Sequence, residues 1–139
     1  MPKQDATRRS PCPISLWLDL LGDKWTLLII RDLVFANKHT YGEFLHSQEK
    51  ISTNILADRL KKLETEKLIS KSIDPENKSK FIYRLTDKGI ELLPILIEMI
   101  AWASKYVKNT GTPQAFIKEL ENDREGLIQN LKESLKNNM

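Results

Sequence analysis

Residues 40–67 carry the pattern that most constrains this chain: a short amphipathic stretch, a turn and a longer amphipathic stretch, the second opened by a capping residue. In TYGEFLHS, residues 40–47, Tyr41, Phe44 and Leu45 fall on one side at helical spacing, with Gly42 as a weak point in the run. After the turn QEKI, Ser52 caps TNILADRLKKLETEK, a helix running to about Lys67 with Leu56, Leu60 and Leu63 along its inner stripe. A short helix, a turn and a longer helix is helix-turn-helix geometry.

The flanks supply the rest of a domain. In PISLWLDLL, residues 13–21, a proline suits the first helical turn, and Gly22 ends an apolar pattern of Ile14, Leu16, Trp17, Leu20 and Leu21. Asp23 caps a second run in which Trp25, Leu28, Ile29, Leu33 and Val34 recur at helical spacing until Asn37 and Lys38. Beyond the longer helix the period changes. Residues 68–73 and 80–85 are short β-rich runs separated by the turn-forming segment 74–79, which predicts a hairpin whose Phe81, Tyr83 and Leu85 share one packed face. Its loop would project as a wing. Residues 87–108 then read as a long helix kinked at Pro94, with apolar side chains over most of its circumference. So small a domain covers only one face of such a helix, and a second subunit is the simplest cover for the other. Residues 114–136 resume as one further amphipathic helix with Ile117, Leu120, Leu127, Ile128, Leu131 and Leu135 on a stripe. It packs either on its own domain or on the partner.

The expected fold is therefore mainly α with a small β-hairpin, a winged helix-turn-helix followed by a helix that a second subunit covers. It divides into a flexible tail (1–12), a DNA-binding domain (13–86) and C-terminal helices for dimerisation and docking (87–139). At 139 residues there is room for one such domain with extensions. Residues 1–111 hold 18 Lys and Arg against 14 Asp and Glu, and residues 112–139 hold 4 against 5, so the basic excess lies in the main domain. No signal-peptide core opens the chain, and its most hydrophobic stretch, residues 92–102, is half a membrane span broken by Glu98. A cytoplasmic address and no membrane partner are expected.

With Leu56, Leu60 and Leu63 inward, Asn54, Asp58, Lys61 and Thr65 face out. Ser52, Thr53, Asn54, Ala57 and Lys61 suit a major groove: hydroxyls and amides bond base edges, a methyl meets thymine, and an ammonium reaches guanine or phosphate. Arg59 and Lys62 flank this face as candidate phosphate clamps, whereas Asp58 repels phosphate unless it accepts from a cytosine amino group. In the wing, Asn77, Lys78, Ser79 and Lys80 are candidates for groove or backbone contact, although a solvated hairpin tip has the same composition.

The segments CPISLWLDLLGDKWTLLIIRDL, TYGEFL, ISTNILADRLKKLETEKLIS, YRLTDKG and LLPILIEMIAW, over about residues 12–103, resemble the HxlR-type regulators, a bacterial winged-helix family related to the MarR group. The Cys-Pro start, Gly22-x-Lys24-Trp25, Leu85-Thr86-x-x-Gly89 and Trp102 carry the likeness together. The resemblance implies a homodimer joined through its first and last helices, a winged helix-turn-helix with N- and C-terminal dimerisation helices, with Ile14, Trp17, Ile95, Met99 and Trp102 as interface candidates. Two reading helices would then enter successive major grooves of a near-palindromic double-stranded operator, as a repressor or an activator. Ile82 replaces a usual acidic residue, and the segment after Pro113 extends past the usual family end.

Some members sense electrophiles or oxidants through a cysteine at the position of Cys12, which makes it the candidate sensor. As the only cysteine, it excludes an internal disulfide and a thiolate-rich zinc site. It opens the first helix with Arg8 and Arg9 close in sequence, a setting that favours negative charge. A half-buried structural cysteine is the plainer reading. His39 and His46 stand without a cluster of further ligands, and no nucleophile elbow, phosphate loop or paired-acid arrangement occurs, so no metal, cofactor or enzymatic activity is expected. No effector is identified. The rival function is a winged helix used as a protein-interaction module, which would show apolar anchors on the outward face of the longer helix.

Overall fold

The computed structural model describes residues 9–138, so Arg8 and most of the expected tail lie outside the described residues. The order of elements is α1 (Pro13–Leu21), α2 (Lys24–Phe35), α3 (Tyr41–Leu45), α4 (Thr53–Thr65), β1 (Ile69–Ile73), β2 (Phe81–Leu85), α5 (Asp87–Ile90), α6 (Leu93–Tyr106), α7 (Gln114–Asn122) and α8 (Arg124–Asn137). By packing, the described residues divide into two compact units, 9–63 and 64–138.

In the first unit, caps fix the helix starts. Pro13 opens α1, where its missing N–H costs nothing. The Asp23 carboxylate accepts from Thr26 N, and Thr40 forms a capping box with Glu43. Ser52 Oγ accepts from Ile55 N at 3.3 Å. Asn37, at φ 52°, carries the chain out of α2 in the left-handed region that asparagine tolerates. Leu21, Ile29, Ile30, Leu33, Phe44, Ile51, Leu56, Leu60 and Leu63 are buried, which is the apolar face that the helical spacing requires. On α2 the outcome differs in detail. Trp25, Leu28 and Val34 stay partly exposed, while Thr26 and Asp32 are buried.

In the second unit, β1 and β2 form an antiparallel hairpin that pairs Ile69 with Leu85, Lys71 with Tyr83 and Ile73 with Phe81. Tyr83 and Leu85 are buried as expected, but Phe81 is exposed, because it sits opposite Ile73 at the far end of the hairpin. Its ring is covered instead by the Lys71 ammonium, 4.0 Å from the centroid. The expected long helix over residues 87–108 is two helices. Thr86 caps the short α5, Glu91 and Leu92 turn the chain, and Pro94 sits in the first turn of α6. There proline is tolerated, so the chain breaks before it rather than kinking at it.

The segment after Pro113 is also two helices rather than one. Asp123 leaves helical geometry at φ −154°, and its carboxylate caps α8 by accepting from Gly126 N at 3.0 Å. Both α7 and α8 pack on α6, and α8 also on α5, burying Leu120 and Leu127. Salt bridges from Arg124 to Glu98 and from Lys132 to Glu91 fasten this layer. The C-terminal stripe therefore packs on its own chain.

Candidate nucleic-acid interface

Three contacts within the first unit orient α4. The Tyr41 hydroxyl donates to Thr53 O at 3.1 Å, which ties α3 to the first turn of α4. Arg59 Nε donates to the carboxylate of Asp23, the residue that caps α2. Lys62 Nζ reaches the backbone oxygen of Asp19 at 3.5 Å, a long contact. The turn leading into α4 is held from behind, since Arg31 grips Glu49 through two hydrogen bonds of 2.6 and 2.9 Å and also donates to the buried Asp32. A bidentate guanidinium–carboxylate pair restricts rotation as well as distance. These contacts settle which face of α4 turns outward.

Electrostatics follow the contacts. The Arg31 hydrogen bond holds the Glu49 carboxyl below its ordinary range and outweighs the opposing effect of partial burial. Glu43 is held low first by the His39 backbone N–H and then by Thr40. At Asp23 burial alone would raise the carboxyl, but bonds from Arg59 and Thr26 together overcome it and the net direction is down. All three carboxylates are thus stabilised as anions around the helix-turn-helix.

Ser52, Thr53, Asn54, Ala57, Asp58 and Lys61 are all exposed, and the structure brings them together on one face of α4 and its cap. Lys61 enters no ion pair among the described residues. Arg59, expected as a phosphate clamp, is instead bridged between Asp23 and Asp58, which also answers the unfavourable charge of Asp58. Lys62 is half-buried and leans toward Asp19. Sequence reasoning missed Tyr41, Arg31, Asp32 and Glu49, the side chains that hold this face in place. The signal available was a charged pair, Arg31-Asp32, inside an otherwise apolar helix.

The wing is a closed loop. Asp74 N donates to Lys80 O, Lys80 N to Asn77 O, and the Asn77 side chain accepts from both the N–H and the hydroxyl of Ser79. Asn77 and Ser79 are therefore turn formers, with polar groups already engaged, whereas Lys78 and Lys80 are exposed and form no ion pair among the described residues.

Residues 20–111 match the family described as HxlR-like helix-turn-helix. The chain belongs to the HxlR-like helix-turn-helix family. This HxlR-like chain is 36% identical to the HTH-type transcriptional regulator sll1512 of Synechocystis over 97 residues, 70% of this chain and 71% of that one. It is 39% identical to the HTH-type transcriptional regulator YodB of Bacillus subtilis over 93 residues, covering 67% and 82%. Among solved structures, the crystal structure of PA1607 aligns with TM-score 0.65 at 34% identity, covering 79% of this chain and 75% of that one. Reduced YodB aligns with TM-score 0.57 at 33% identity, covering 71% and 97%. The HxlR-like chain is a winged helix-turn-helix transcriptional regulator that binds DNA, and it is not an enzyme. The matched segment runs later than the likeness over residues 12–103 indicates: it starts after Cys12 and ends at residue 111, before α7.

The remaining candidates are placed as follows. Cys12 precedes α1 with its side chain exposed and not used in capping, and its backbone N–H donates to Ser10 Oγ. Arg9, expected to lend Cys12 positive charge, is committed to Asp19. Ile14 is 71% exposed and Trp102 62%, with Ile95 and Met99 also uncovered, whereas Trp17 is half-buried and its shielded Nε1 has no hydrogen-bond partner among the described residues. The His39 ring is hydrogen-bonded to Asn37 Oδ1. No described helix is long and apolar enough to cross a membrane.

Proposed function

We propose that this HxlR-like regulator works as a homodimer on a near-palindromic double-stranded DNA operator, with α4 reading the major groove. The supporting observation is the composition of the outward face of α4. Ser52, Thr53, Asn54, Ala57 and Lys61 are exposed there, and none of the exposed large apolar side chains among the described residues lies on α4. A protein-docking helix would show such anchors. Asn54 and Lys61 contact bases, and the N–H groups at the start of α4 meet phosphate. Arg59 acts through its bridge to Asp23 and Asp58 as an orienting residue, Lys62 steadies the same helix, and Lys78 and Lys80 supply wing contacts to the backbone. A DNA partner puts the protein in the bacterial cytoplasm.

Dimerisation rests on apolar faces left open in each unit. Ile14 and Leu18 are one helical turn apart on α1, and Ile95, Met99, Trp102 and Tyr106 form a stripe along α6. Contiguous exposed apolar surface of this kind marks an interface. The Trp102 and Tyr106 rings already pair at 5.2 Å between centroids.

Regulation is assigned to Cys12. Its thiol is exposed at the start of α1, and YodB has been crystallised reduced, diamide-treated and quinone-bound. With one cysteine per chain, oxidation links two subunits, forms a mixed disulfide with a small thiol, or stops at a sulfenic acid. The test is selection of genomic fragments by the purified protein, followed by binding with and without diamide. Operator binding that weakens steeply with salt and is lost in the Asn54→Ala, Lys61→Ala double variant supports the reading. Failure to retain any fragment at low salt refutes it, and release by diamide that persists in Cys12→Ser removes the cysteine from the mechanism.

A further inference from the structure

Within the second unit, α6, α7 and the start of α8 enclose a recess of about 380 Å³ lined by Ala101, Ser104, Lys105, Ile117, Leu120, Glu121 and Arg124. That volume falls within the range of small-molecule sites. Four of these seven residues, Ile117 to Arg124, lie beyond the family match, which ends at residue 111. The recess is thus a property of this chain's C-terminal extension.

Its chemistry is divided. Ala101, Ile117 and Leu120 provide an apolar floor, and Leu120 is buried. Two cations and one carboxylate stand at the rim. Arg124 is paired with Glu98, whereas among the described residues Lys105 makes only a contact with the Tyr106 ring and Glu121 forms no ion pair. A rim ammonium without a carboxylate partner is a site for an anionic head, and a rim carboxylate without a cation accepts from an N–H or O–H donor. Ser104 Oγ, bonded at 3.4 Å to Thr112, adds a hydroxyl at the same edge.

We infer that this recess binds a small amphipathic anion, an aromatic acid carrying an amino or hydroxyl donor, with its ring on the Ala101, Ile117 and Leu120 floor and its acid group on Lys105. The three α6 residues that line it lie roughly 130° round the helix from Ile95, Met99, Trp102 and Tyr106, at 3.6 residues per turn. One helix therefore carries the recess on one face and the open apolar stripe on another. If that stripe is the dimer seam proposed above, occupancy bears on assembly. Binding itself does not rest on that reading.

The experiment uses the full chain and 8-anilinonaphthalene-1-sulfonate, which has an aromatic body, an acid group and an N–H donor, with fluorescence titration as the readout. Saturable binding at one site per chain is expected, weakened at least tenfold by Lys105→Glu and abolished by Ile117→Trp, which fills the recess. Ile73→Glu, at an exposed position on β1, should leave the titration unchanged. Circular dichroism confirms that each variant is folded, and Lys105→Glu, at an exposed position, keeps the test decisive should Ile117→Trp fail to fold. Binding that ignores Lys105→Glu, or that Ile73→Glu abolishes, overturns the proposal.

Discussion

Two glycine-to-alanine changes should have opposite signs. A Cβ at Gly89 would lie 2.1 Å from Leu68 O and 2.9 Å from Leu85 Cδ2. The oxygen cannot move freely, because it accepts Thr86 N at 3.1 Å where the hairpin returns to α5. Gly89→Ala must therefore push α5, with its cap Thr86, away from Leu68, which breaks that bond as well. Overpacking costs ~1–3 kcal/mol and a lost hydrogen bond about 1 kcal/mol, together roughly 2–4 kcal/mol. For a chain of this size that lowers Tm by about 6–15 °C. At Gly42, inside α3, an added methyl would meet nothing within 4 Å, and φ is not positive. There alanine removes unfolded-state freedom and should stabilise by ~0.4–1 kcal/mol. Thermal and urea unfolding followed by circular dichroism measure both. A Gly89→Ala protein that melts within about 2 °C of the parent would refute the close-packing argument, because the expected loss is several times larger.

Because Arg31 lowers the Glu49 carboxyl in the folded state, that pair contributes stability above the unfolded carboxyl range, and the contribution fades as pH falls through the lowered folded value. Glu49→Gln should flatten this part of the acid limb of the unfolding curve, and an unaltered limb would show the pair to be idle. Trp102→Glu should shift the protein toward monomer in sedimentation velocity at micromolar concentration, and an unchanged sedimentation coefficient would remove α6 from the seam. Asp123→Ala removes the cap of α8 and should cost about 1 kcal/mol, with faster hydrogen exchange at the Gly126 amide. Exchange there at the parent rate would contradict the capping role.

Local chemistry made most of the fold legible. Asp23 and Ser52 announce helix starts, and the period change after residue 67 announces the hairpin. The breaks inside apolar runs were harder to read. The stripe from Ile117 to Leu135 continues across Asp123, so periodicity gives no warning that an aspartate ends one helix and caps the next. Phe81 has the alternation of a packed residue, but alternation assigns a face and does not say how far the cover extends. The outward face of α4 follows from Leu56, Leu60 and Leu63 alone. The commitment of Arg59 to Asp23 does not, since partners 36 positions apart meet only after folding.

The central claim, that the outward face of α4 discriminates among DNA sequences, is tested most directly by the ratio of non-specific to operator Kd, measured at one fixed salt concentration for the parent, Asn54→Ala and Lys78→Ala. A base contact is worth ~1–3 kcal/mol and the dimer loses two of them, so Asn54→Ala should shrink the ratio at least about 30-fold, whereas Lys78→Ala should weaken both affinities alike and leave it intact. A ratio unchanged by Asn54→Ala and reduced by Lys78→Ala would place the reading of sequence in the wing and contradict the account.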